Sequence, residues 1–296
     1  MNGLTLGALL IVVYTGMMAG ADGITKMIAG QFEAPQLFAV SALLVLGLAL
    51  LMTLLRRQDG GVHGLRTRFP RVMALRSGLT VLAAIGFFQA FRHLPFADVF
   101  LFIGLIPVLA AAFSGPILGE HPRPTAWIAV TIGAAGILFL MPGGPSSVQL
   151  GHLWALLAAV TGTLSMLLGR YIARAERVPL AQVFWPNLAL LVTMGLALPF
   201  VWQPMTGADL IWVAFYSVLL FAGRYVVAEA FRLLPAYVAT PLMNLQFAWM
   251  VVIGYVGFAE MPGLATLLGV ALVIGSGLWL VADEALPRRS RIVPAE

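Results

Sequence analysis

Apolar runs of roughly 20 residues, the length that crosses a bilayer core of about 30 Å as an α-helix, recur along the whole chain with short polar breaks between them. The breaks predict ten transmembrane helices at 4–28, 34–55, 72–91, 96–118, 125–141, 151–172, 180–200, 210–231, 236–258 and 263–281. The expected fold class is therefore an all-α polytopic membrane protein. The segment 125–141 is the shortest and sits at the lower limit of a span.

Composition agrees with the pattern. Of 296 residues, 61% are hydrophobic and 10% charged, which excludes an ordinary soluble globule. The net charge of +5 does not point to nucleic acid, because the basic residues form no patch with interleaved aromatics. They alternate with the predicted spans instead. Arg56, Arg57, Arg66, Arg68, Arg71, Arg123, Arg170, Arg174, Arg177, Arg232, Arg288, Arg289 and Arg291 all fall on one side, 13 of the 17 lysines and arginines, and the opposite loops hold Arg92. By the positive-inside rule both termini are expected in the cytoplasm, with the chain integral to the cytoplasmic (inner) membrane. The first apolar run has no basic leader and no small-residue cleavage signature, so it reads as a retained helix. Cysteine is absent, which removes disulfides and thiolate metal sites.

The chain also resembles itself. QAFRHLP at 89–95 and EAFRLLP at 229–235 agree at five of seven positions with an offset of 140 residues, and the same offset pairs Glu120 and Pro122 with Glu260 and Pro262. Two halves follow, 1–145 and 146–283, before a cytoplasmic tail at 284–296. Five helices per half is an odd number, so the second half enters the membrane inverted. Inverted repeats place a binding site near the midplane between the halves, which favours transport over catalysis.

The stretch ALRSGLTVLAAIGFFQAFRHLPFADVFLFIGLIPVLAAAFSGPILGEHPRP, with Arg76, Pro95, Ala97, Pro107 and Gly119-Glu120, resembles the EamA type of the drug/metabolite transporter (DMT) superfamily. ADGITK in the first helix resembles the branch that includes riboflavin and S-adenosylmethionine carriers. The sequence departs from many relatives in reading LFAVSALL where they carry an arginine early in helix 2, and its second half keeps little beyond EAFRLLP and Ala259-Glu260. The resemblance implies each half to be an EamA-like repeat and the cargo to be a small metabolite, without fixing which one.

Polar residues inside the spans are the candidate substrate-binding groups. Tyr14, Met18, Asp22 and Lys26 follow one another at four-residue steps along one stripe of the first helix. Asp22 and Lys26 neutralise each other there for a ligand, or Lys26 merely snorkels to the headgroups. Arg76 shares a face with Thr80 and Phe87 and serves either a ligand or a lipid phosphate. Arg224 lies deeper and needs a partner: a ligand, or an ion pair with Asp22 or Asp98. Asp98 alternatively just complements a helix N-terminus. Trp185 and Asn187 flank Pro186, and Asn244, Gln246 and Trp249 follow Pro241; these amides and indoles suit a flat, heteroatom-rich ligand, or glue helices together. Gln89 and Glu229 are read as local partners of Arg92 and Arg232, and Gly119-Glu120 as a helix-end feature outside the site.

No HExxH, GxSxG or P-loop occurs, so no enzyme chemistry and no cofactor are expected. The expected function is secondary active transport of a riboflavin- or S-adenosylmethionine-like metabolite by alternating access. The alternatives are an exporter of amino acids or aromatic toxic compounds, a channel, and a membrane scaffold. The expected partners are a small-molecule substrate and membrane lipid, without nucleic acid, and a homodimer is left open.

Overall fold

The computed structural model describes residues 3–28, 31–57, 65–93, 102–120 and 150–258, with isolated positions at 99, 124–132 and 264–279. The helices are α1 Gly3–Ile28, α2 Ala34–Arg57, α3 Pro70–His93, α4 Ile106–Leu118, α5 Leu150–Ala175, α6 Pro179–Val201, α7 Gly207–Leu233, α8 Ala236–Met243 and α9 Leu245–Phe258. All regular structure among the described residues is helical. Among the described residues, seven helical segments are long and apolar enough to cross a membrane, and Phe102–Leu118 is a shorter apolar one. The expected spans 125–141 and 263–281 fall largely outside the described residues, as does Asp98.

The helix ends follow local chemistry. Pro179 stands in the first turn of α6, where the missing N–H costs no intrahelical bond. Thr206 and Asp209 close a reciprocal capping box at the start of α7. Gly119 ends α4 at φ 65°, a left-handed position that glycine adopts freely, and its N–H bonds the Gly115 carbonyl at 2.9 Å.

The expected span 236–258 is broken. Pro241 cannot donate to the Tyr237 carbonyl, and three residues on the Asn244 N–H bonds the Pro241 carbonyl at 3.1 Å, a tighter turn that separates α8 from α9. A similar interruption occurs at Leu105, whose N–H bonds Phe102 at 3.2 Å just ahead of Pro107.

Helices that share a lipid solvent gain little from hydrophobic exclusion and associate by close packing. Accordingly Ala19, Ala49, Ala90, Ala155, Ala158, Ala159, Ala181, Ala230, Ala236 and Ala239 are buried at helix contacts. Gly86 is needed for the same reason: a Cβ there would lie 3.0 Å from both the Ala158 methyl and the Trp154 carbonyl. Large apolar side chains cover the outside, with Phe200 87% and Val256 77% exposed, as a lipid-facing surface requires.

The principal contacts are α3 with α5, α1 with α7, and α2 with α6. Next come α3 with α6, α4 with α5, α1 with α9 and α2 with α7, and then α4 with α8, α7 with α5 and α6, and α1 with α8. Exchanging α1, α2, α3 and α4 for α5, α6, α7 and α8–α9 maps the principal contacts onto one another, whereas the contacts of α7 with α5 and α6 have no comparable counterpart between α3 and α1 or α2. Gln36 fastens α2 to the end of α6 through both amide atoms, donating to the Gln203 carbonyl at 2.7 Å and accepting from its N–H at 2.9 Å.

Candidate functional site

The site is organised by one irregular turn of α6. Pro186 has no N–H for the carbonyl four residues earlier, that of Gln182. Arg76 of α3 supplies the donor: its Nη1 reaches the Gln182 carbonyl at 2.7 Å. Gly169 of α5 makes the room, since a Cβ there would stand 3.0 Å from Arg76 Nε and 3.2 Å from Gln182 Oε1. Arg76 Nε itself is buried without a hydrogen-bond partner. One turn along, Thr80 Oγ1 and Ser165 Oγ are 2.7 Å apart, and Ser165 donates to the Arg76 carbonyl at 3.1 Å.

The same turn is held from the other side by α7. Arg224 Nη1 donates to Asn187 Oδ1, and Asn187 Nδ2 donates in turn to the Val183 carbonyl at 2.6 Å. Arg224 lies within electrostatic reach of Arg76 and of the Tyr14 and Tyr216 hydroxyls. Tyr216 stands two turns before Arg224 on α7 and is hydrogen-bonded to Thr25. Gly223 lets α1 approach: its Cβ would meet Met18 and, at 3.5 Å, the Tyr14 ring.

Further along α1, Gln246 Nε2 of α9 donates to Asp22 Oδ2 at 2.5 Å. Trp249, one turn on, packs over Gly16, where a Cβ would lie 3.7 Å from the indole. Asn244 is buried at the break between α8 and α9.

Each of these charges is thus held by a neutral amide. The ion pair that the sequence offered for Arg224 and Asp22 does not form. An amide orients a charged group without neutralising it. Tyr14, Asp22, Arg76 and Arg224 are all half-buried, not sealed in the packing.

Other sequence candidates lie elsewhere. Phe87 packs in an apolar cluster with Ala90, Ala155, Phe102 and Trp154. Trp185 turns outward, 40% exposed, and its Nε1 donates to the Leu65 carbonyl at 2.9 Å. Asp98 and the Lys26 side chain lie outside what the structure describes.

Three carboxylates, Glu120, Glu229 and Glu33, anchor polar contacts that brace the bundle away from this site. Glu120 accepts from Arg170 Nε at 3.0 Å and from the Ala236 N–H at 2.9 Å, with Arg174 at 3.8 Å, while Arg170 Nη1 also donates to the Phe231 carbonyl. The helix-end glutamate is therefore a clamp. Glu229 pairs with Arg232 at 3.2 Å, as its spacing suggested, and with Arg177 at 2.9 Å; the carboxylate holds the Arg177 guanidinium above the usual arginine range. Arg92 turns to Glu33 at 3.2 Å instead of to Gln89.

The architecture is shared with a solved crystal structure, which superposes with a TM-score of 0.75 at 18% identity over 95% of this chain and 98% of that one. Residues 5–141 match the EamA-like transporter family. The riboflavin transporter of Rhizobium johnstonii is 24% identical over 97% of this chain and 93% of its own length. The riboflavin transporter of Brucella anthropi is 23% identical over 80% and 86% respectively. The pseudopaline exporter of Pseudomonas aeruginosa is 24% identical over 76% and 79%. The chain is therefore an integral membrane protein that carries an EamA-like domain over residues 5–141, and the relatives it resembles along most of its length are transporters, not enzymes.

Proposed function

We propose that this protein carries a riboflavin- or S-adenosylmethionine-like metabolite across the cytoplasmic membrane by alternating access, with no nucleotide hydrolysis of its own. The observation that carries the reading is the pair of amide-held charges, Arg224 on Asn187 and Asp22 on Gln246. Opposite charges on facing helices, kept apart and oriented, suit a polar heterocycle with donors and acceptors at both ends. Two relatives bearing the name riboflavin transporter support that class.

Alternating access rests on ten helices in two inverted halves, 1–145 and 146–283, with both termini in the cytoplasm. The exchange of helix contacts described above supports this reading, because an inverted repeat makes α3–α5 the counterpart of α7–α1, and α3–α6 that of α7–α2. The interruptions at Leu105 and Asn244 fall at nearly matching places in the two halves. Tyr14, Asp22, Arg76, Asn187, Arg224, Asn244, Gln246 and Trp249 form the binding region.

Export of an amino-acid-like compound is a second reading. The relative named pseudopaline exporter favours it, as do two neighbouring guanidiniums, Arg76 and Arg224. Proteoliposomes assayed in both directions with riboflavin, S-adenosylmethionine and amino acids decide between them. Saturable flux of a flavin or S-adenosylmethionine supports the first reading, saturable flux of amino acids alone the second. Flux that never saturates identifies a channel and rejects both.

A further inference from the structure

A groove of about 740 Å³ opens on the outside of the bundle between α3 and α6. Its walls are Pro70, Met73, Ala74, Ser77 and Gly78 on α3, and Trp185, Leu188, Ala189 and Val192 on α6. Small residues create it. Ala74, Ser77 and Gly78 share one face of α3 at helical spacing, and Ala189 faces them where a larger side chain would close the gap. A Cβ on Gly78 would meet nothing within 4 Å.

The wall is apolar and surrounded by the outer surface of the bundle, where Leu75 is 58% and Val192 56% exposed. In hydrocarbon such a groove admits an acyl chain, not water. From Pro70 to Gly78 the helix rises about 12 Å at ~1.5 Å per residue, close to the depth of one leaflet. Its mouth is polar and basic. Arg66 and Thr67 line that end, with Arg68 and Arg71 exposed beside them, and the Trp185 indole is fixed there on the Leu65 carbonyl. The Glu176 carboxylate is engaged by Thr67 Oγ1 and, at 3.0 Å, the Arg68 N–H, and Arg66 forms no ion pair among the described residues.

We propose that this groove is a binding site for one anionic phospholipid, its acyl chain between α3 and α6 and its headgroup phosphate on Arg66. A basic mouth on an apolar slot selects by charge as well as by shape, so an anionic lipid is retained over a zwitterionic one.

The test is native mass spectrometry of the purified protein released from vesicles of equal parts phosphatidylglycerol and phosphatidylcholine. Wild type retains one phosphatidylglycerol. Gly78→Phe, whose Cβ has nothing within 4 Å and whose ring enters the slot, loses it and remains folded by size-exclusion chromatography. Ala74→Phe, from an exposed position on the same wall, replaces it if that variant does not fold. Arg66→Gln still holds a lipid but lowers the phosphatidylglycerol preference about fivefold, as expected for loss of one basic contact at a membrane surface. Equal retention of the two lipids by wild type, undiminished phosphatidylglycerol in the filled variants, or a retained mass that matches no phospholipid overturns the proposal.

Discussion

Pro186 and Arg76 are complementary: the carbonyl of Gln182 that the proline leaves without its helical donor is the one that Arg76 Nη1 takes at 2.7 Å. A proline within a membrane helix is tolerated when another group satisfies the freed carbonyl. Here that group is a guanidinium from a different helix, so the irregular turn also locks α3 to α6.

Restoring the backbone donor should uncouple the two residues. Arg76→Ala in the native background leaves the Gln182 carbonyl unpaired, whereas in a Pro186→Ala background the carbonyl has an N–H within its own helix. A double-mutant cycle on thermal unfolding in detergent should give a coupling of about 1 kcal/mol between positions 76 and 186. Strictly additive effects would show that the bond contributes nothing.

Asn187→Ala and Gln246→Ala should resemble the loss of the charges they hold. Each leaves its charged partner present but unoriented, at a cost of about 1.5–3 kcal/mol for a charge-assisted bond. Transport KM should rise roughly tenfold or more, at ~1.4 kcal/mol per decade. Arg224→Ala and Asp22→Ala should abolish uptake while expression and chromatographic behaviour stay normal. Normal uptake by Arg224→Ala or Asp22→Ala would remove those residues from the site.

Gly169→Ala and Gly78→Ala form a matched pair. Both replace glycine within a helix, a change that alone favours the helix by about 1 kcal/mol. At position 169 the new methyl meets Arg76 Nε at 3.0 Å, so overpacking of about 1–3 kcal/mol should outweigh that gain and lower the melting temperature. At position 78 nothing stands in the way, and the melting temperature should hold or rise.

Single cysteines at Tyr14, Met18 and Asp22 should react with aqueous thiol reagents, whereas one at Leu9, 50% exposed on the outside of the bundle, should not. The chain has no cysteine of its own, so background labelling is nil. Substrate should change the labelling from the two sides in opposite directions. Unreactive positions all along the stripe would mean a packed helix with no cavity beside it.

The chain pattern revealed most helix boundaries, because span length and the end-forming residues are local properties. The predicted bounds of the spans up to α7 that can be compared whole lie within three residues of those observed. The break at Asn244 was less legible, since Pro241 announces a lost bond but not where the chain turns. Asp22 and Arg224 stood out because buried charge is rare in a span. Their amide partners, Asn187 and Gln246, are legible as polar residues within spans but not as the partners of those charges, and the Tyr216 hydroxyl two turns from Arg224 carries no such mark. The Gln182 carbonyl is a backbone atom and invisible in residue identity, although its distance of four from Pro186 points to it. Trp185 and Asn187 were grouped as neighbours around that proline. Residues two apart on a helix face nearly opposite ways, and so one reaches Arg224 while the other faces the lipid.

The Glu120 clamp joins pieces from both sides of the proposed duplication. Its carboxylate follows α4, its arginines rise from α5, and the N–H it accepts opens α8, with Arg170 reaching on to the last turn of α7. Pulling any of these helix ends away strands a charge or a backbone donor at a poorly hydrated joint. These four ends are therefore held as one block, and the proposed rocking falls to seams with fewer charged ties, such as α1 against α7, where Gly223 admits Met18 and Tyr14 and the Tyr216 hydroxyl meets Thr25. On the proposed duplication, the block that the carboxylate ties together straddles the boundary between the two copies.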